Sequence, residues 1–391
     1  MSANSIQLPP LGGTGGGLYI HIPFCKQACH YCDFHFSTNL KRGAEMVTAL
    51  QREIVLRKQE FANQKVETIY FGGGTPSLLE IDEIEALITA VYENFDVVAN
   101  PEITLEANPD DLSGQRILQL SKSPVNRLSI GVQSFFEEDL KLMNRAHNVT
   151  EAETCIQEAR KYFDNISIDL IYGIPEMTDE RWKATINKAL SFGVPHISSY
   201  ALTVEPKTAL KKFIDDGLVP EVDEEQAERQ FHILVEILEK NGFVNYETSN
   251  FGKPAYFSKN NTAYWQGKKY IGIGPSAHSF DGKKRGWNIR NNTKYIQSIA
   301  KGELPIEYEN LSKIDQYNEY VMTGLRTIWG VSIERITKDF GVKYVEYLEM
   351  QAKKFIAQKL LFWDGDTLLA TKKGKFLVDG IASDLFMLNL K

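Results

Sequence analysis

Short apolar segments alternate with longer amphipathic ones through the first half of the chain, and this alternation restricts the fold more than any other feature. Each apolar segment has the length of a buried strand, and each amphipathic one has a single apolar face. Six β–α units in series require parallel strands joined by right-handed crossovers. The predicted strands span 18–24, 67–71, 102–106, 127–132, 166–171 and 196–202, and the predicted helices lie near 40–62, 80–95, 112–121, 150–163, 178–192 and 206–216.

Such a series predicts an α/β fold, either a TIM-like partial (β/α)6 barrel or a doubly wound sheet. In both, the functional site lies at the carboxyl ends of the strands. Polar and glycine-rich sequences follow five of the predicted strands, so we expect them to meet at one face. The first strand leads into a cysteine-rich loop. The sequences at the ends of the next four strands are Gly72-Gly73-Gly74-Thr75-Pro76, Glu106-Ala107-Asn108-Pro109, Gly131-Val132-Gln133-Ser134 and Asp169-Leu170-Ile171-Tyr172-Gly173.

The rest of the chain divides by composition and rhythm. Residues 1–17 are rich in Pro and Gly and predict a flexible leader ahead of a core at 18–222. Residues 223–310 predict a core extension, with a helix at 224–241, short strands to about 290 and a helical region from 293. Residues 311–391 predict a smaller, mostly helical domain, in which Asp364-Gly365 marks a hairpin typical of a winged-helix-like shape.

Composition excludes several classes of protein. No apolar run approaches the roughly 18 residues that cross a bilayer, and the start lacks the pattern of a secretory signal. The chain has 44 Lys and Arg against 51 Asp and Glu, a net charge of −7, so nothing favours nucleic acid. With only four cysteines in 391 residues, a reducing cytoplasm is the expected compartment.

Three of those cysteines, Cys25, Cys29 and Cys32, fall within one short stretch. Thiolates are the preferred ligands of iron–sulfur clusters and of zinc. Three thiolates on a four-iron cluster leave one iron free to bind a small molecule through an amino and a carboxylate group. The fourth cysteine, Cys155, lies in a predicted helix and is expected to be a small buried residue.

Two other interpretations of the cysteines stay open at this point. A zinc site could add His21, His30 or His35, although structural zinc ligands usually come from two separate knuckles. A redox pair could use Cys29 and Cys32 but leaves Cys25 without a role. Covalent c-type haem is excluded because a histidine does not follow Cys32. The spacing favours the iron–sulfur cluster.

The chain resembles the radical S-adenosylmethionine (SAM) enzymes, and within them the branch of oxygen-independent coproporphyrinogen III oxidase and its haem-chaperone relatives. The resemblance begins at Tyr19 and runs through nearly the whole chain. It includes the cysteine stretch, the four strand-end sequences above, Arg145-Ala146-His147, Tyr264-Trp265 and Gly272-x-Gly274-x-Ser276-Ala277.

This resemblance implies the radical SAM form of the partial barrel. It implies that Cys25, Cys29 and Cys32 hold a [4Fe–4S] cluster and that SAM binds the fourth iron. An electron donor would reduce the cluster, and SAM cleavage to methionine and a 5′-deoxyadenosyl radical is the expected chemistry. The residues expected around SAM are Tyr19, Tyr31, Gly73, Gly74, Thr75, Glu106, Gln133, Arg145 and Asp169.

Two features separate the haem chaperones from the oxidase. The oxidase pattern has a further cysteine where this chain has Phe34, and it carries a longer N-terminal extension. The chaperones carry His-Asn-x-x-Tyr-Trp, which this chain matches except that Asn260 replaces the histidine. An amide is a poor haem ligand compared with imidazole, so His278 is an alternative ligand. The candidate haem region is Asn260, Asn261, Tyr264, Trp265 and His278.

The sequence therefore predicts a radical SAM haem chaperone that passes haem to an acceptor protein. The alternative is an oxidase that decarboxylates coproporphyrinogen III to protoporphyrinogen IX. A third hypothesis keeps the cluster as a structural or redox element without radical chemistry. Gly272-x-Gly274 imitates a dinucleotide fingerprint, but no suitable helix or acidic residue follows it, so we expect a structural role.

Overall fold

The computed structural model describes residues 15–388. The strands are β1 Gly16–Ile22, β2 Val66–Gly73, β3 Val97–Ala107, β4 Arg127–Gln133, β5 Ile166–Tyr172, β6 His196–Ala201, β7 Val244–Asn245, β8 Asn250–Gly252, β9 Tyr270–Ile273, β10 His278–Phe280, β11 Lys284–Asn288, β12 Ile306–Asn310, β13 Val331–Ser332, β14 Leu361–Asp364 and β15 Thr367–Ala370.

The helices connect and flank these strands. They are α1 Gly43–Leu56, α2 Ile81–Asn94, α3 Gly114–Leu120, α4 Glu137–Leu142, α5 Val149–Ala159, α6 Asp179–Ser191, α7 Ala209–Asp215, α8 Glu224–Lys240, α9 Lys259–Trp265, α10 Asn292–Ala300, α11 Lys313–Leu325, α12 Ile333–Asp339, α13 Val342–Ala357, α14 Lys372–Lys375 and α15 Val378–Asp384. None of the helices within residues 15–388 is both long and apolar enough to cross a membrane.

One 12-stranded sheet forms the body of the molecule, in the order β12-β11-β10-β9-β1-β2-β3-β4-β5-β6-β8-β7. Strands β1 to β6 are parallel and follow one another in chain order. Right-handed crossovers between successive neighbours place every connecting helix on the same face, whereas a doubly wound sheet reverses its order at a switch point. The partial barrel is therefore confirmed.

The strand that enters the cysteine loop begins earlier than predicted, and this corrects one expectation. Gly16 and Gly17, assigned to the flexible leader, are the first residues of β1. They lie between β2 and β9, where a side chain on Gly17 would come within 2.6 Å of Thr68 Oγ1. Close packing between strands, rather than flexibility, explains these glycines. Residues 1–14 of the predicted leader lie outside the described residues.

Helix α4 has no counterpart among the predicted helices. It is six residues long, and its first turn consists of Glu137, Glu138 and Asp139. Two turns are too short to display an apolar period, so the sequence pattern alone does not reveal it. Acidic residues in the first turn are favourable next to the helix dipole.

A buried ion pair ties α1 to the edge of the barrel. The Glu53 carboxylate accepts hydrogen bonds from Tyr295 Oη at 2.6 Å, Asn288 Nδ2 at 2.8 Å and the Gly274 amide at 2.8 Å. Arg57, one turn later, contacts the same carboxylate at 3.2 Å and also donates to the Gly272 carbonyl at 2.7 Å. The backbone groups of Gly272 and Gly274, the two glycines of the dinucleotide-like segment, thus form hydrogen bonds with side chains at the end of α1. This contact fits the expected structural role.

Residues 311–388, called the C-terminal segment from here on, contain a second apolar core separate from that of the barrel. Helices α11 to α13 precede the hairpin of β14 and β15, and β13 adds a third strand to it. The order of helices and hairpin is that expected of a winged-helix-like domain. The exact domain limits stay a prediction.

Candidate functional site

A cavity of about 780 Å³ opens at the carboxyl ends of β1 to β6. Its wall combines the cysteine loop, the ends of the parallel strands and part of the C-terminal segment. Binding clefts for organic ligands have volumes of roughly 300–1,000 Å³, so the space suits a cofactor. The cavity lies where the six strand ends meet, as the serial β–α pattern predicts.

All three thiols of the cysteine loop line this cavity and are half-buried. The loop is closed at its base, because the Ser37 amide donates to the Pro23 carbonyl at 2.9 Å and the Cys25 amide to the Ser37 carbonyl at 3.1 Å. Burial raises the pKa of Cys25 and raises that of Cys32 to about 11. In the absence of a metal these thiols hold their protons, which a bound metal would displace.

The histidines considered for zinc bind elsewhere. His21 Nε2 contacts the His35 carbonyl at 2.9 Å, and His35 Nε2 contacts Asn292 Oδ1 at 2.7 Å. His30 Nδ1 contacts the Leu142 carbonyl at 2.8 Å. Within residues 15–388, no three His, Cys, Asp or Glu side chains are gathered closely enough to hold a single metal ion. A four-iron cluster separates its thiolates further than one ion does, because each thiolate binds a different iron.

The glycine-rich end of β2 fits tightly against the start of the cysteine loop. The Gly74 amide donates to the Ile22 carbonyl at 2.8 Å and the Thr75 amide to the Phe24 carbonyl at 2.7 Å. A side chain at Gly74 would come within 2.5 Å of the Phe24 carbonyl oxygen, and Gly73 has φ of +108°. Both glycines also line the cavity. The absence of a side chain therefore lets the cysteine loop pack closely here and leaves room for a ligand to approach the backbone.

Two half-buried carboxyl groups face the cavity from β3 and β5. Glu106 accepts hydrogen bonds from Tyr70 Oη at 2.8 Å and from the Gly73 amide at 3.2 Å. Asp169 accepts from Ser129 Oγ at 3.2 Å. Burial raises the pKa of Glu106 to about 7 and that of Asp169 to about 6. Both groups can therefore become charged near neutral pH when a cationic ligand enters.

Arg145 connects the cysteine loop with the opposite wall. Its guanidinium donates to Asn108 Oδ1 at 2.6 Å, to the Gly131 carbonyl at 2.9 Å and to Cys29 Sγ at 3.3 Å. Its Nε is buried without a hydrogen-bond partner in the described structure. A guanidinium that lines the cavity suits a carboxylate ligand.

Gln133 ends β4 in a backbone conformation that side-chain-bearing residues rarely adopt, with φ of +68°. The register between β4 and β5 shifts at this point, between Gly131 and Gln133. Such strain occurs at ligand sites when the surrounding structure holds it in place. Gln133 lines the cavity as a result.

Eight of the nine residues expected around SAM line the cavity, and Tyr19 is the exception. The Tyr19 hydroxyl contacts His21 Nδ1 at 3.2 Å, and its ring stacks on Tyr70 at 6.1 Å between centroids. Asn108 and Ser129, which were not singled out, also line the cavity and hold Arg145 and Asp169. Asn108 belongs to one of the strand-end sequences, so a signal for it was present.

The candidate haem region does not line this cavity. Asn260 is buried, and its Oδ1 accepts from Thr68 Oγ1 at 2.9 Å near the amino-terminal end of β2. Tyr264 packs against Tyr270 with ring centroids 4.5 Å apart. The Asn261 backbone amide donates to Oγ of Ser258, the residue that caps the start of α9, at 3.2 Å. His278 is exposed on β10 rather than part of the core. Trp265 lies 4.9 Å from the Arg326 guanidinium.

The far wall of the cavity comes from the C-terminal segment, which no sequence motif had connected with the site. The lining residues here are Arg326, Lys375, Phe376, Val378 and Asp379. Arg326 follows helix α11, and the other four lie in α14, in α15 or between them.

Comparison with known proteins agrees with this architecture. Residues 19–189 match the family model of the radical SAM superfamily, and residues 311–377 match that of the HemN C-terminal domain. The solved structure of coproporphyrinogen III oxidase (HemN) from Escherichia coli, a radical SAM enzyme, superposes with a TM-score of 0.83 over 96% of this chain and 90% of that one. At 24% identity, this match shows a shared fold.

Full-length relatives give a narrower comparison. The protein named "Heme chaperone HemW" of Lactococcus lactis is 36% identical over 93% of this chain and 97% of its own length. The protein of the same name from Bacillus subtilis is 34% identical over 92% of this chain and 96% of its own. The fold is that of a radical SAM protein. The chain belongs to the HemW family within the radical SAM superfamily.

Proposed function

We propose that this protein is a haem chaperone that holds a [4Fe–4S] cluster and SAM, binds haem and transfers it to an acceptor protein. The proposal of these two cofactors is supported by one observation: three thiols and eight of the residues expected around SAM line the same cavity. The haem part is supported by full-length relatives that are named haem chaperones. We place the protein in the cytoplasm, with an electron donor as a further partner.

The residues of the cavity fit these cofactors. Cys25, Cys29 and Cys32 would hold the [4Fe–4S] cluster, which would supply the one-electron chemistry for cleavage of SAM. Arg145 would bind the SAM carboxylate, since its guanidinium lines the cavity beside Cys29. Glu106 would accept hydrogen bonds from the ammonium group or a ribose hydroxyl.

Further residues would orient SAM and keep water away. Gly73, Gly74 and Thr75 would contact its methionine end through the backbone, with Gln133 and Asp169 along the opposite wall. Tyr31 would cover the cluster side, since it lines the cavity and lies 3.4 Å from Arg145. Tyr19 would act through Tyr70, which it stacks upon.

The oxidase is the second candidate function, because the fold match is to that enzyme. At the position of its additional cysteine this chain presents Phe34, whose side chain is 68% exposed at the cavity. An apolar ring there cannot exchange protons with a substrate, and it favours contact with a flat apolar ligand. We therefore propose haem as the ligand.

Two anaerobic assays test this function. In the first, the reconstituted protein is titrated with haem and then mixed with an apo-haemoprotein; a defined Soret band that moves to the acceptor is expected. In the second, it is incubated with coproporphyrinogen III, SAM and a reductant. Formation of protoporphyrinogen IX would overturn the chaperone in favour of the oxidase.

A further inference from the structure

The part of the cavity remote from the cysteine loop contains a positively charged group without a bonded anion. Lys375 Nζ donates to Asn245 Oδ1 at 2.7 Å and to the Asn245 carbonyl at 3.0 Å, both neutral oxygens. An ammonium group has three donors, so one is left for a ligand. Burial lowers the pKa of Lys375 to about 8, as expected for a cation whose charge is incompletely compensated.

The nearby carboxylates are already engaged with other groups. Glu247 accepts from the Ser249 amide and the Thr248 hydroxyl, both at 3.2 Å, and from Asn250 within the same turn. Glu239 pairs with Lys372 on the outer surface. A charged ligand in the cavity therefore does not have to displace an existing partner of Lys375.

Arg326 is the second cation of this wall. One edge of its guanidinium pairs with Asp379 at 2.6 Å, at the exposed rim, and its plane lies over Trp265. Its Nε is buried and has no hydrogen-bond partner in the described structure. Arg326 and Lys375 both line the cavity, and the Arg326 side chain forms a hydrogen bond to Asp379 alone among the described residues.

The surface between these cations and the strand ends is largely aromatic and apolar. Tyr172, Tyr200, Leu202, Phe231 and Phe376 line it. Tyr200 is 44% exposed although it ends β6 beside a buried core. A flat apolar ring with carboxylate side chains would cover this surface and supply the missing acceptors.

We propose that Arg326 and Lys375 bind the propionate carboxylates of a tetrapyrrole whose ring lies against β5, β6 and the C-terminal segment. This inference rests on the proposed function for the class of ligand. It places haem in the same cavity as SAM instead of at Asn260 alone. Coproporphyrinogen has the same carboxylate chemistry, so the experiment has to distinguish the two sources.

The test measures tetrapyrrole affinity by Soret titration of the cluster-reconstituted full chain. Lys375→Met and Arg326→Gln should each weaken haem binding about tenfold, as expected for loss of a charged hydrogen bond. Lys373→Gln removes the same charge from the exposed side of α14 and should bind like wild type. Lys375→Arg keeps the charge and should retain binding.

A second arm needs no variant, so it stays decisive if a variant fails to fold. Haem dimethyl ester, with its propionates masked, should bind the wild type about tenfold more weakly than haem. Coproporphyrin III and haem are compared in parallel, and the tighter ligand identifies the source. Ester binding equal to that of haem, or variants that bind both tetrapyrroles like Lys373→Gln, would overturn the inference. Failure of the wild type to bind haem at all would instead contradict the proposed function.

Discussion

Glu106 and Asp169 bring two carboxyl groups into a space where burial disfavours their charged forms. Each is kept in place by hydroxyl or amide donors from neighbouring strands, Tyr70 and Gly73 for Glu106 and Ser129 for Asp169. A positively charged ligand such as SAM compensates the charge of these groups. Affinity and protonation are therefore linked at this site.

The pKa of Glu106 is about 7 without ligand. Below that pH its carboxyl group is mostly protonated, so it has to lose a proton before it can pair with a cation. We expect SAM affinity to fall by up to about tenfold per pH unit below neutrality, and to be constant above about pH 8. Isothermal titration of the reconstituted protein measures this. Glu106→Gln should bind more weakly at pH 8 and lose most of the pH dependence, with Asp169 responsible for the remainder. An equal slope in both proteins would refute the role of Glu106.

At the scale of elements, the joint between β2 and the cysteine loop depends on a residue without a side chain. Gly74→Ala would place a methyl group within 2.5 Å of the Phe24 carbonyl oxygen, so the loop has to move. We expect the variant to hold less than half the iron of the wild type after reconstitution. Gly43→Ala is the matched control, because a methyl group there has nothing within 4 Å. Equal iron contents in the two variants would contradict this account of the joint.

Helix α1 is held to the barrel edge through the buried Glu53 carboxylate. Removing it leaves the buried donors of Tyr295, Asn288 and Gly274 without an acceptor, while Arg57 keeps its ion pair with Glu60 at 2.7 Å. Glu53→Ala should therefore lower the free energy of unfolding by about 3–5 kcal/mol. Urea denaturation measures the change. Glu45→Ala, on the exposed first turn of the same helix, should change stability by less than about 1 kcal/mol. A similar small effect for Glu53→Ala would mean that the network contributes little.

At the scale of the whole molecule, the periodic sequence pattern predicted the six parallel strands and the face at which they end. The cysteine stretch and the resemblance pointed to three thiols and nine residues expected around SAM, and the thiols and eight of the nine line one cavity, mostly because they lie in short motifs directly after a strand. The sequence pattern did not reveal α4, whose two turns carry no apolar period, or the contribution of Arg326 and Lys375. Those two residues line the cavity only because the C-terminal segment packs against it. The local sequence around each residue carries no sign of that packing.

The structure also separates residues that the sequence had grouped. Tyr19 was expected at SAM, yet its side chain stacks inside the barrel on Tyr70. Asn260 was expected in a haem region, and its amide binds Thr68 of β2. Tyr19 lies within β1, below the strand ends that line the cavity, and Asn260 lies near the amino-terminal end of β2.

The central claim is that three thiols of one loop hold a cluster whose remaining iron is open to SAM. The direct measurement is the iron and sulfide content after anaerobic reconstitution, combined with electron paramagnetic resonance of the reduced protein with and without SAM. We predict about four irons per chain and a spectrum that SAM alters. Cys25→Ala should lose this signal, whereas Cys155→Ala, which changes a buried cysteine of α5, should keep it. Bound zinc in place of iron, or a spectrum unchanged by SAM, would contradict the claim.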